Sequence, residues 1–85
     1  MLSKKVFKKL KLNSKIIQLK LAGEFIAQRY FMHFKVSLYS YNGFFVEIWQ
    51  SLRFDEVFSI DIAPERTIKE AYLDKIDLSK LGLEL

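Results

Sequence analysis

The sequence predicts an α+β fold: an antiparallel meander of three or four strands, with a short N-terminal helix and a C-terminal helix after Pro64 packed on one face. Three observations carry this expectation. Asn42-Gly43 lies between two alternating runs, a strong short-range hairpin signal. From Glu24 onward the chain is rich in aromatic and β-branched residues, which suit a pleated surface. Apolar residues recur at four-residue spacing before this region and again after Pro64, as helices require.

Residues 1–12 form a basic arm in which Leu2, Val6 and Leu10 share one helical edge, with lysines between them. Isolated helices shorter than about 12–15 residues are marginal in water, so this arm is either frayed or ordered by docking. Residues 13–85 form a single α+β domain. In it, residues 14–22 read as a helix between Asn13 as N-cap and Gly23 just past the end. Ile17, Leu19 and Leu21 also alternate with Gln18 and Lys20, so a strand fits this stretch about as well. Residues 24–31 form a fourth strand, although Met32-His33 is a poor turn and the chain can instead continue as one long bent strand.

The hairpin over residues 35–50 allows two registers. A two-residue Asn42-Gly43 turn pairs Tyr41 with Phe44 and sets Leu38 opposite Glu47, mixing a carboxylate into an apolar face. A three-residue loop ending at a left-handed Gly43 pairs Ser40 with Phe44, Leu38 with Val46 and Val36 with Ile48. Keeping one face apolar favours the second. The strand over residues 56–62 then turns Phe58, Ile60 and Ile62 to the core. Setting Trp49 beside Val57 and Glu47 beside Ser59 avoids placing Glu47 against Asp61, two like charges. After Pro64, Thr67 and Glu70 have capping-box spacing, and a helix over residues 68–76 carries Ile68, Tyr72 and Ile76 on one stripe. Leu78, Leu81 and Leu83 are an apolar tail that packs back on the sheet edge or on a partner.

With 85 residues the chain holds one domain, near the lower size limit for folding alone, so a partner or second copy is expected to help it. The lack of cysteine rules out a disulfide framework and a thiolate metal site. No uninterrupted hydrophobic run exceeds three residues, whereas a bilayer span needs about 20. A soluble, unprocessed, cytoplasmic protein is the expectation. Charge is divided: residues 1–35 carry nine basic side chains against Glu24 alone, while residues 36–85 carry five basic and nine acidic ones. A dipolar chain of this kind can hold a polyanion at one end or bind its own copy head to tail.

Two clusters are candidate binding residues. In the favoured register Lys35, Tyr39, Phe45 and Trp49 share an open sheet face, with Lys35 across from Trp49 as a cation–π pair. Such a face is a covered core, a protein or homodimer interface, or a platform that stacks nucleic-acid bases. Lys4, Lys5, Lys8, Lys9 and Lys11 are a candidate polyanion arm, indifferent to base sequence. No catalytic residues, cofactor or metal are expected. His33 is the sole imidazole, at a strand end without a partner motif. Glu47 and Asp61 are offset in the favoured register and do not make an acid–base pair. The three glycines fit no phosphate-cradling spacing.

Phe44-Phe45-Val46-Glu47-Ile48-Trp49 and the run from Tyr72 to Leu81 resemble stretches in a group of short bacterial proteins of unknown function, a likeness that implies no activity. Size, basic charge and helix-then-sheet order are also similar to small toxins that cleave messenger RNA. Those toxins carry basic and acid–base residues on the sheet and tail, where this chain has Glu47, Asp55, Glu56 and Asp61 and ends in Leu83-Glu84-Leu85. The expected function is a non-catalytic accessory or protein-interaction module that self-associates. Nucleic-acid binding through the arm is the runner-up, and a ribonuclease toxin a distant third.

Overall fold

The computed structural model describes residues 1–83. The chain runs through α1 (Lys4–Lys9), α2 (Leu12–Ala22), β1 (Glu24–Phe31), β2 (Phe34–Tyr41), β3 (Phe44–Ser51), β4 (Glu56–Ile62), α3 (Glu65–Ala71) and a closing 3-10 turn (Leu78–Leu81). The strands form one antiparallel sheet in the order β1-β2-β3-β4, so the α+β meander has four strands. No helix among the described residues is long and apolar enough to cross a membrane. Glu84 and Leu85, the end of the apolar tail, lie outside the described residues.

The β2–β3 turn decides the rest. Asn42 and Gly43 both take positive φ, 46° and 82°, in a two-residue turn of the kind whose twist matches its flanking strands. Tyr41 therefore pairs with Phe44, and Leu38 lies opposite Glu47. This corrects the three-residue loop. Glu47 does not spoil an apolar face, because Arg29 of β1 reaches over β2 and neutralises it.

A slip of one residue exchanges the faces of a strand, so the correction redistributes the whole core. Phe44 and Val46 join Tyr41 and Ile60 under Phe7 of α1 and Leu19 of α2. Leu38, with Ala27 and Phe45 beside it, packs against Ile68 of α3, Tyr72 at its C-cap, Leu78 and Leu83. Successive strand residues point to opposite faces, so the helices expected on one face divide between two. The sheet is the middle of three layers.

Residues 24–31 are the expected fourth strand, whereas the joint between β3 and β4 differs from expectation. Phe31 pairs with Phe34 around Met32-His33, where Met32 at φ 54° carries the turn that separates β1 from β2. A bulge between Phe25 and Ala27 lets both Ile26 and Ala27 face the α3 core. On the far side Glu47 does lie opposite Asp61, and Trp49 opposite Ser59, in place of the offset register. The like-charge contact is relieved because the Glu47 carboxylate is turned to Arg29 and Tyr72, while Asp61 accepts from the Ser59 hydroxyl at 2.9 Å. A register shift after Trp49 leaves Phe58 without a partner in β3, and it turns away from the Ile60 core toward Phe34, with ring centroids 5.3 Å apart.

The basic arm is ordered by docking. Phe7 is fully buried, 5.1 Å from the Tyr41 ring and 5.7 Å from that of Phe44. The Leu2 amide donates to the Tyr41 hydroxyl at 2.9 Å, and this hydroxyl donates to Gln18 Oε1 at 2.6 Å. Residues 14–22 are helical, but α2 starts earlier, with Lys11 as N-cap and Asn13 inside the first turn. Gly23 is extended, at φ −82°, so no left-handed backbone requires it. A Cβ there would lie 2.6 Å from the Leu19 carbonyl oxygen, so its close approach to the last turn of α2 does. At the other end Pro64 occupies the N-cap, where it tolerates having no amide to donate, and α3 runs over Glu65–Ala71 and not 68–76. Thr67 and Glu70 are inside it and form no capping box; Glu70 instead pairs with Arg66 at 3.2 Å on the surface.

Gly43 tests the turn. No atom would crowd a Cβ there, so Gly43→Val acts through φ alone and should cost about 1–2 kcal/mol. Asn42→Ala also loses the 2.8 Å bond from Asn42 Nδ2 to the Leu2 carbonyl and should cost about 1 kcal/mol. Urea midpoints with unchanged slopes would measure both; a neutral Gly43→Val would exclude the two-residue turn.

Candidate interaction site

The site rests on one buried carboxylate. Glu47, in the middle of β3, is buried, and only 6% of its side chain meets solvent. Burial of a charge is costly unless it is paired and hydrogen-bonded. Arg29 Nε and Nη2 both donate to Glu47 Oε2, at 3.2 and 3.1 Å, and the Tyr72 hydroxyl donates to the same oxygen at 2.6 Å. The guanidinium also lies between two rings, 5.3 Å from the centroid of Trp49 and 5.5 Å from that of Tyr72. A planar, weakly hydrated cation suits such a slot; an ammonium does not. Among the described residues no buried side-chain polar atom lacks a partner.

Burial first, then the hydrogen bond and negative charge of Glu47, push the Tyr72 hydroxyl well above the ordinary tyrosine range, outweighing the opposite pull of Arg29. Tyr72 thus stays protonated and donates. Glu47 Oε2 takes three hydrogen bonds within the fold, and Asp61, although opposite it, has its own partner in Ser59. Among the described residues no three His, Asp or Glu side chains gather as a metal site.

Arg29 and Trp49 are the inner wall of an aromatic end. Trp49 meets Phe31 and Phe34 edge-on, with centroids 6.0 and 5.6 Å apart, and Phe34 meets Phe58 at 5.3 Å. The β1–β2 turn and the β3–β4 loop meet at this end, where the Leu52 amide donates to the His33 carbonyl at 2.7 Å. Met32 is 79% exposed, Phe54 70% and Phe58 68%, while Leu52 and Phe31 are about half exposed. Large apolar side chains so open to solvent, several of them in ring contact, form a patch of the kind that marks an interaction surface.

The four residues expected on one open face are separated. Phe45 and Trp49 lie on the α3 face, Phe45 within the α3 core and Trp49 beside Arg29. Lys35 and Tyr39 lie on the α2 face, with Tyr39 against Phe25 at 5.7 Å. The cation over Trp49 is Arg29, not Lys35, a direct consequence of the two-residue turn. Lys4, Lys5, Lys8, Lys9 and Lys11 are all exposed. His33 is exposed in the β1–β2 turn, at a strand end as expected. Sequence reasoning missed Arg29, Met32, Phe34, Phe54 and Phe58. One signal was available: the apolar run Tyr30-Phe31-Met32 leads directly into a turn.

No protein-family model, curated protein or solved structure matches this chain.

The Tyr72 hydroxyl gives a pH-dependent test. Its folded pKa is raised, so the stability it contributes is complete below about pH 10, the ordinary tyrosine value, and declines as the pH rises further. Near neutral pH Tyr72→Phe should cost about 1.5–3 kcal/mol, the worth of a hydrogen bond to a charged group. The gap between variant and native chain should narrow above that pH. Urea unfolding of both chains across the alkaline range measures it, and a gap constant with pH would remove Tyr72 from the network.

Proposed function

We propose that this chain is a non-catalytic interaction module of the cytoplasm that self-associates through the aromatic end of its sheet. The carrying observation is the exposure of Phe31, Met32, Leu52, Phe54 and Phe58 in one region around Trp49 and Phe34. At roughly 150–250 Å² for each large apolar side chain, their exposed fractions amount to about 500–800 Å². A standard interface takes about 800 Å² from each partner, so this end alone approaches what a stable pair needs.

Charge favours a second copy as the occupant. The joint at this end carries Arg53 with Asp55 and Glu56, so it lacks the positive excess of the N-terminal residues. The excess positive charge lies elsewhere. Leu2 is bonded to Tyr41 and Asn42 at the opposite turn, and Lys8 and Lys15 lie beside Asp61 and Ile62 toward that same end. A two-fold pairing through the aromatic ends therefore keeps the basic ends apart.

Exposure of Lys4, Lys5, Lys8, Lys9 and Lys11, with no acid before Glu24, supports sequence-independent nucleic-acid binding as a second reading. The two readings use opposite ends of the molecule, so they separate experimentally.

Sedimentation velocity over a dilution series should show a concentration-dependent dimer. Met32→Lys with Phe54→Asp, both at exposed positions, should make the chain monomeric while leaving its thermal midpoint unchanged at concentrations where the native chain is itself monomeric. A native chain that stays monomeric at high micromolar concentration would contradict the proposal. So would a variant that dimerises as well as the native chain. A monomer that binds a labelled oligonucleotide in a salt-dependent way would put the second reading in its place.

A further inference from the structure

A groove on the other side of the sheet is unused by this reading. Where α2 and the start of β1 cross the sheet they leave a half-open cavity of about 520 Å³. That volume lies within the range of small-molecule sites, about 300–1,000 Å³. Its walls include Leu19, Tyr39, Ile48 and Val57, and its cations are Lys20 and Lys35. Among the described residues no carboxylate lines it.

The lysines distinguish this groove from an ordinary packing gap. Lys35 is partly buried, yet among the described residues neither it nor Lys20 makes an ion pair or a side-chain hydrogen bond. The contrast is Lys15, also of α2, which donates to the Ile60 carbonyl at 3.0 Å. Lys20 is exposed and Lys35 half-buried, and with no counter-ion among the described residues they leave the groove positively charged, so an incoming anion meets two cations while its apolar body covers Leu19, Ile48 and Val57. Gly23 contributes to the shape: it lets the chain pass close to Leu19 as it leaves α2, and it lines the groove itself.

We propose that this groove binds a small amphipathic anion, a carboxylate with an aliphatic or aromatic body, with Lys20 and Lys35 holding the head group. Binding is independent of pairing at the aromatic end, which lies on the α3 face.

Decanoate below its micellar concentration is the probe, followed by methyl resonances of the full-length chain. It should shift Leu19, Ile48 and Val57 saturably and leave Leu38 and Ile68, in the α3 core, unmoved. Lys20→Gln with Lys35→Gln should weaken binding roughly tenfold or more, since bonds to charged groups exceed neutral ones. Decan-1-ol should bind the native chain as weakly as decanoate binds the double variant. Equal affinity of acid and alcohol, or of native chain and variant, would overturn the proposal. No saturable shift, or shifts led by residues outside the groove, would overturn it as well.

Discussion

A carboxylate in the middle of a sheet has to be neutralised where it stands, and the solution at Glu47 ties together three parts of the chain. Arg29 comes from the edge strand β1 and Tyr72 from the end of α3, while Glu47 itself is on β3. Each contact requires the others to be in place. Arg29 reaches Glu47 only if β1 pairs with β2 as it does, with Arg29 beside Val36. Tyr72 reaches it only if α3 lies on that face. Buried ion pairs are poor sources of net stability, because desolvation offsets their attraction. Their effect here is to specify register: a one-residue slip of β3 would carry Glu47 to the α1–α2 face, among Phe7, Leu19 and Ile60, and away from Arg29 and the Tyr72 hydroxyl.

The same network divides the molecule into working parts. Arg29, held by Glu47, is the guanidinium against which Trp49 stacks, and Trp49 in turn supports Phe31 and Phe34 at the open end of the sheet. At the opposite end Tyr41 and Asn42 anchor the N-terminal residues, from which the exposed lysines extend. A sheet with helices on both faces thus keeps an apolar end and a basic end apart. The edges differ too: β4 has the Ile60 carbonyl occupied by Lys15, whereas β1 forms the other border and carries no lysine.

The class of fold was legible because it depends on local signals: Asn42-Gly43, the aromatic and β-branched strands, and Pro64 before a helical stripe. The faces were not legible, for one reason. The rule that a strand keeps one face apolar counted Glu47 as an error to be avoided, although Asn42-Gly43 argued for the two-residue turn. Nothing local says that a cation 18 residues upstream will meet that carboxylate. Three later misplacements follow from it: Lys35 over Trp49, the shared face of Tyr39 and Phe45, and the offset of β4. The α3 boundary failed for a smaller reason. Thr67 and Glu70 have the spacing of a cap, but Pro64 already provides a helix start that needs no donor.

The dependence of the register on the ion pair is tested most directly by a double-mutant cycle in urea, using Arg29→Met, Glu47→Gln and the two together. Breaking a buried pair by removing one partner costs about 3–5 kcal/mol, whereas replacing both removes the stranded charge. The account predicts that the double variant is much less destabilised than the sum of the single ones, with a coupling of about 1.5–3 kcal/mol. Additive losses would contradict it, for they would mean that Arg29 and Glu47 stabilise the sheet independently and that something else holds β3 in register.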